Sequence, residues 1–153
     1  MHKIRQATIE DLEAVKELNT KAFAANPKWD PDAVRNWAST REGGKYYKEA
    51  LEDKDGYFVV CEEGGKLIGY ANGTRMEITY RKSKYFEIVN LGVVPEKRRS
   101  GVGKALLEEI AKWAKAQGYE KLYLDSYIKN KQALEFYKKN GFQEISISLE
   151  KNL

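Results

Sequence analysis

The sequence predicts an α/β fold with a mixed sheet, and three observations carry that expectation. The apolar period changes along the chain, from helical spacing to alternation over three successive runs, and then to helix, strand, helix and strand again. The runs at 57–62 and 66–77 are joined by Glu63-Gly64-Gly65, a hairpin pattern. The stretch EIVNLGVVPEKRRSGVGKALLEEIAKWAKAQ, Glu87 to Gln117, passes from an apolar run through a basic, glycine-bearing turn straight into an amphipathic pattern. Strands and helices in this interleaved order pack as layers around one core.

Length and charge set the outer bounds. A chain of 153 residues suits a single domain, expected to span 1–153. Charged residues make up 33% and hydrophobic ones 42%, a globular balance. No eighteen apolar residues run together and Met1 to Ala7 lacks a signal-peptide core, so a cytoplasmic location is expected, with no membrane partner. Cys61 stands alone and forms no internal disulfide. His2 is the only histidine, which excludes a histidine triad and a His/Cys zinc site, and no metal is expected. The net charge of +4 is spread among acidic residues, favouring an anionic small ligand over nucleic acid.

The elements follow in order. Ile4 centres a short first strand over 2–6; Thr8 and Asp11 form a capping-box pattern before Leu12, Val15, Leu18 and Ala22, which recur at helical spacing up to Phe23. Asn26 and Pro27 break that helix. Asp30-Pro31 predicts a short helix through Trp37, ended by Gly43 and Gly44, and 45–52 a third helical piece. Two hairpin strands follow, with Gly69 and Gly73 marking bulges or close backbone approach, and then a third strand over 86–94. Ala105, Leu106, Ile110, Trp113 and Ala114 form the stripe of a long helix capped by Gly118. A strand at 122–126, a helix at 130–140 stopped by Gly141, and a last alternating strand at 142–149 complete the series.

Within the third meander strand, simple alternation puts Glu87, Val89, Leu91 and Val93 on one face, and Gly92 invites a bulge. Both faces are apolar, so helices are expected on both. Glu87 is the odd residue, a carboxylate in an apolar run. The turn after Pro95 sets Lys97, Arg98, Arg99 and Lys104 around Gly101 and Gly103, where free N–H groups at a helix start favour a phosphate. A Walker loop fails because Arg98 stands where its first glycine belongs. A dinucleotide fingerprint fails at Leu106, although Asp125 could imitate its ribose-binding acid.

Arg98-Arg99-Ser100-Gly101-Val102-Gly103 resembles the R/Q-x-x-G-x-G/A motif of the GCN5-related N-acetyltransferases (GNAT family). The stretch from Asn130 to Phe142 is similar to that family's N-x-x-A-x-x-F-Y-x-x-x-G-F motif, and the β/α order agrees over essentially the whole chain. The resemblance implies a mixed, mostly antiparallel sheet of about six to seven strands splayed in the middle, with acetyl-CoA as co-substrate in the opening. It further implies that main-chain groups of Leu91 and Val93 pair with the pantetheine arm, that Arg98, Arg99, Ser100, Gly101, Val102, Gly103 and Lys104 surround the pyrophosphate, and that Asn130 and Phe136 approach from the other side. Phe136 fits ordinary core packing equally well.

The implied reaction is direct attack of a primary amine on the thioester. An alkyl ammonium of pKa ~10.4 must first lose a proton, and Glu87 is the candidate base. Tyr137, at the position of the family's tyrosine, is the candidate acid for the departing sulfur. Cys61 offers a covalent route, but without an activating histidine it reads as structural. The acceptor, a small-molecule or peptide amine, is expected near Trp29, Trp37, Tyr46, Tyr47, Tyr80 and Tyr85. A homodimer is compatible with the sequence, and an acetyl-CoA-binding module without turnover is the other functional class left open.

Overall fold

The structure, a computed structural model, describes all residues 1–153. Strand β1 (Lys3–Gln6) leads through a capping turn, in which the Thr8 amide donates to the Asp11 carboxylate at 2.8 Å, into α1 (Leu12–Ala22). Helix α2 (Arg41–Glu52), the meander β2 (Tyr57–Glu63), β3 (Lys66–Met76) and β4 (Tyr85–Val93), then α3 (Val102–Ala116), β5 (Lys121–Tyr123) and α4 (Lys131–Lys139) follow. The sheet order is β1-β2-β3-β4-β5, antiparallel except for the parallel β4–β5 pair. The two-residue hairpin turn sits on Gly64 and Gly65 with φ of 57° and 75°, the left-handed conformation that a tight twisted hairpin requires.

Neighbouring residues of β3 show that helices cover both faces. A Cβ on Gly69 would touch Leu106 and Val102 of α3, whereas Tyr70 next to it reaches the opposite side. There Asn19 of α1 donates to the hydroxyls of Tyr47 (2.6 Å) and Tyr70 (2.8 Å), which also bond each other at 2.9 Å. On the α3 face Trp113 stacks on Tyr57, with ring centres 4.5 Å apart, and Phe86 lies against it. Two buried layers thus clamp β2, β3 and β4, and Cys61 lies fully inside them.

Several expectations need correcting. The 30–37 stretch is not a helix: the Asp30 carboxylate accepts from the Asp32 amide at 3.1 Å, a local turn that competes with helix formation. Asn36 then takes a left-handed φ of 52° before the single turn Trp37–Ser39. Gly43 and Gly44 do not end a helix but belong to the first turn of α2, which Thr40 caps by accepting from the Gly43 amide. A Cβ on Gly43 would lie 2.0 Å from the Trp37 carbonyl oxygen, so glycine is needed for that close crossing. The sheet has five strands rather than six or seven, because 142–149 forms no strand and is largely exposed.

The bulge in β4 is at Val89, not Gly92. Ile88 pairs with Gly73 and Asn90 with Asn72, leaving Val89 as the extra residue. This flips the parity: Asn90 and Gly92 face α1 and α2, the former through Tyr46 and the latter through Ala22 and Phe23. Gly73 forms the opposite side of the crossing. A Cβ there would lie 2.3 Å from the Glu87 carbonyl oxygen and 2.4 Å from Phe86. Gly73→Ala is therefore expected to push β4 outward and lower stability by about 1–3 kcal/mol. An unchanged urea midpoint would contradict this close crossing.

Candidate active site

Strands β4 and β5 pair at Tyr85–Lys121, Phe86–Leu122 and Glu87–Tyr123 and then separate. Beyond Glu87, the edge of β4 that faces β5 has no strand beside it, so alternate main-chain groups from Ile88 to Val93 are open to a guest. The far lip is tied down elsewhere. The Tyr127 hydroxyl donates to Asp30 at 3.0 Å, and the Tyr127 ring packs near Trp29. The connection between α1 and α2 thereby closes one end of the opening.

The turn from Pro95 to α3 closes the other end. Arg98 fixes the turn to the body: its guanidinium donates to the Ala22 carbonyl at 2.6 Å and to the Val93 carbonyl at 3.3 Å. The Ser100 hydroxyl donates to the Lys97 carbonyl at 2.5 Å. Arg99 and Gly101 adopt left-handed φ of 61° and 88°, which curl the main chain into the start of α3. A Cβ on Gly101 would meet nothing within 4 Å, so this glycine serves conformation and open approach, not packing. The first amides of α3 lack intrahelical partners, and with the helix dipole they form an anion-binding concavity.

Helix α4 supplies the facing wall. Asn130 caps it by accepting from the Ala133 amide at 3.2 Å. Phe136 reaches across to the loop, 3.5 Å from where a Gly103 Cβ would be, with Val93 at 3.8 Å. Of the residues implicated by sequence, Leu91, Val93, Arg98, Arg99, Gly101, Gly103, Lys104, Asn130, Phe136 and Tyr137 line one continuous cleft of about 2280 Å³. Such a space exceeds the ~300–1,000 Å³ of ordinary small-molecule pockets and suits an elongated ligand. Ser100 and Val102 are outside the lining: Ser100 braces the turn, and Val102 is buried beneath β3. Burial pushes the Tyr137 hydroxyl up to about 12, so it stays a proton donor at neutral pH.

Glu87 is placed differently from the cleft residues. It sits at the point of separation, half-buried, opposite Thr74 on one side and Tyr123 on the other. Burial, and secondarily the charge of Asp125, pushes its carboxyl above the usual range. Asp125 itself lines the cleft, so Glu87 lies behind an acidic lip. Beside it, Tyr46 accepts hydrogen bonds from both Asn72 and Asn90 at 3.1 Å, and Asn90 donates to Asn72 at 3.1 Å.

Sequence reasoning missed that polar cluster and the part played by Asp125. The available signal was two asparagines, Asn72 and Asn90, in otherwise apolar strands. Of the aromatic residues expected around the acceptor, Trp29, Trp37 and Tyr47 line the cleft, whereas Tyr46 lies outside its lining, Tyr85 is buried and Tyr80 is exposed away from it. Cys61 is sealed in β2, and burial raises its thiol, which removes it as a nucleophile.

A parted parallel strand pair, a glycine turn feeding a helix N-terminus, and a tyrosine on the facing helix meet in this one cleft. The chain belongs to the acetyltransferase (GNAT) family, whose model matches residues 12–142. It is 34% identical over 145 residues to an uncharacterized N-acetyltransferase of Methanocaldococcus jannaschii, covering 94% of this chain and 61% of that protein, so it spans less than two thirds of that relative. An N-alpha-acetyltransferase of Sulfurisphaera tokodaii is 26% identical over 154 residues, covering 95% of this chain and 83% of the relative. Among solved structures, a tetramutant of the BH1408 protein from Bacillus halodurans shares the fold with a TM-score of 0.84, at 24% identity and 99% coverage of both chains.

Proposed function

We propose that the protein transfers an acetyl group from acetyl-CoA directly to a primary amine, with peptide N-termini as the first acceptors to test. The observation that carries this reading is the parting of β4 and β5 beside the Arg99–Lys104 turn, which offers a strand edge and an anion cradle in one cleft. An amide-bearing pantetheine arm matches the first, and a pyrophosphate the second. The name of the Sulfurisphaera relative supports the choice of acceptor.

In this reading Glu87, with its raised pKa, takes a proton from the ammonium group of the acceptor, and Asp125 at the cleft wall holds that cation. The amine lone pair then forms the C–N bond at the thioester carbonyl carbon. The C–S bond breaks, and the sulfur receives a proton from Tyr137, leaving an N-acetyl amide and free CoA. The main-chain N–H of Leu91, on the open edge of β4, stabilises the carbonyl oxygen, since the hydrogen bond from Val94 to Ile68 turns Gly92 towards β3.

Because Glu87 must be ionised to act, activity should rise with pH through its elevated pKa. Glu87→Gln should lower kcat by ~10²-fold and abolish that limb of the profile. An unchanged pH profile would remove Glu87 from the mechanism. The function itself is tested by thiol release from acetyl-CoA over a panel of peptides, lysine and polyamines. Turnover on N-terminal amines is expected; acetyl-CoA binding with no turnover on any amine would make the protein a binding module instead.

A further inference from the structure

The polar cluster beside Glu87 leaves one acceptor unused. Asn72 is buried in β3, and Asn90 follows the Val89 bulge on the neighbouring strand. The Tyr46 hydroxyl of α2 accepts from the Nδ2 of each at 3.1 Å, and Asn90 Nδ2 also donates to Asn72 Oδ1 at 3.1 Å. Turning either amide alone would set nitrogen against nitrogen or oxygen against oxygen. Turning both would point two oxygens at one phenol, whose single proton can serve only one of them. The contacts therefore fix both amides.

In that arrangement Asn90 spends its Nδ2 hydrogens on the cluster, while its Oδ1 accepts from nothing in the chain. No buried side-chain oxygen lacks a partner, so Oδ1 is not sealed in, and Asn90 lines the large cleft. Its place relative to the reaction is set by β4. Phe86 packs on Trp113 of α3, so Glu87 faces the α1 and α2 side, and after the bulge Asn90 faces that same side. Burial raises the Tyr46 hydroxyl above its ordinary value and the charge of Glu87 adds to this, as expected for groups on one face. Leu91, next to Asn90, turns its N–H in the plane of the sheet towards the open edge. An amine that reaches a thioester carbonyl there from the α1 and α2 side passes between Glu87 and Asn90.

We propose that Asn90 Oδ1 accepts a hydrogen bond from the attacking amine and aims it, with Tyr46 and Asn72 as positioning residues that hold the amide oxygen outward. The inference rests on the acetyl-transfer reading. A primary ammonium has three N–H bonds. One proton goes to Glu87, which frees the lone pair for the thioester carbon, and a second N–H stays on Asn90 Oδ1. A neutral amide oxygen suits this task, since it accepts from the nitrogen without competing for its proton.

Steady-state kinetics with acetyl-CoA and an alanyl peptide amide compares Asn90→Leu with Asn90→Asp. Both lose the Nδ2 donors to Tyr46 and Asn72, and only the aspartate keeps an oxygen for the amine. Asn90→Leu should raise the peptide KM by ~10-fold, the size expected for a hydrogen bond to a charged group. Asn90→Asp should hold it near the wild-type value, with the KM for acetyl-CoA unchanged in both. Equal peptide KM values in the two variants would overturn the inference while leaving acetyl transfer intact, since a residue that only ties the cluster together loses the same donors either way. The side-chain amide signal of Asn90, followed by NMR in the CoA-bound wild type, gives a readout that needs neither turnover nor variants, and the peptide should shift it. A signal that the peptide leaves unmoved overturns the inference even if the variants do not fold. A shift without turnover would instead overturn the acetyl-transfer reading and leave Asn90 as an amine-binding residue.

Discussion

Gly103→Glu is expected to weaken acetyl-CoA binding by about 100-fold, equivalent to about 2.8 kcal/mol, while leaving the protein folded. The position is in the first turn of α3, and its Cβ direction leads into the cleft, with only ordinary contact to Phe136 at 3.5 Å. A longer side chain therefore has room to form, but it fills the channel between the turn and α4. Its carboxylate also opposes the pyrophosphate where the free α3 amides would otherwise attract it. Titration calorimetry with acetyl-CoA and a thermal melt separate the two effects. Wild-type affinity in a folded variant would show that the pyrophosphate binds elsewhere.

Tyr137→Phe should lower kcat by ~10- to 100-fold and leave the KM for acetyl-CoA nearly unchanged. The modest size follows from the leaving group, since a thiol of pKa ~8.5 departs fairly well without help. The hydroxyl is suited to this narrow task. It remains protonated because burial pushes it up to about 12, and it makes no hydrogen bond within the chain that would divert its proton. Steady-state kinetics against both substrates checks the division. A large rise in KM with kcat preserved would mean that Tyr137 positions the donor instead of protonating it.

What was legible in the sequence was local. The Gly64-Gly65 hairpin, the capping box before α1, and the glycines at 101, 118 and 141 all act through short-range backbone geometry, and all three glycines adopt left-handed φ. The two motifs placed the cleft-lining residues for the same reason, each being a compact turn-and-helix unit. What failed depends on partners distant in sequence. The β4 bulge is set by the Gly73 crossing with Glu87, and it moved Asn90 and Gly92 to the face opposite the one simple alternation implies. Arg98 lines the cleft as its motif position implies, but its tie to the carbonyl of Ala22, 76 residues away in sequence, is invisible to any local pattern. Gly43 looked like a helix breaker because the Trp37 carbonyl that demands a glycine there becomes its neighbour only after folding. The alternation at 142–149 predicts a last strand that does not form, because pattern alone names no pairing edge.

The central claim is that the gap between β4 and β5 holds the donor through the β4 edge and the α3 turn. Amide hydrogen exchange with and without acetyl-CoA tests it most directly, because both contacts are made by main-chain groups. The account predicts new protection at Leu91 and Val93 and over Arg99–Lys104, with β1 and the Gly64-Gly65 turn unchanged. Saturating acetyl-CoA that leaves these amides unaltered, or protects a different surface, would contradict it.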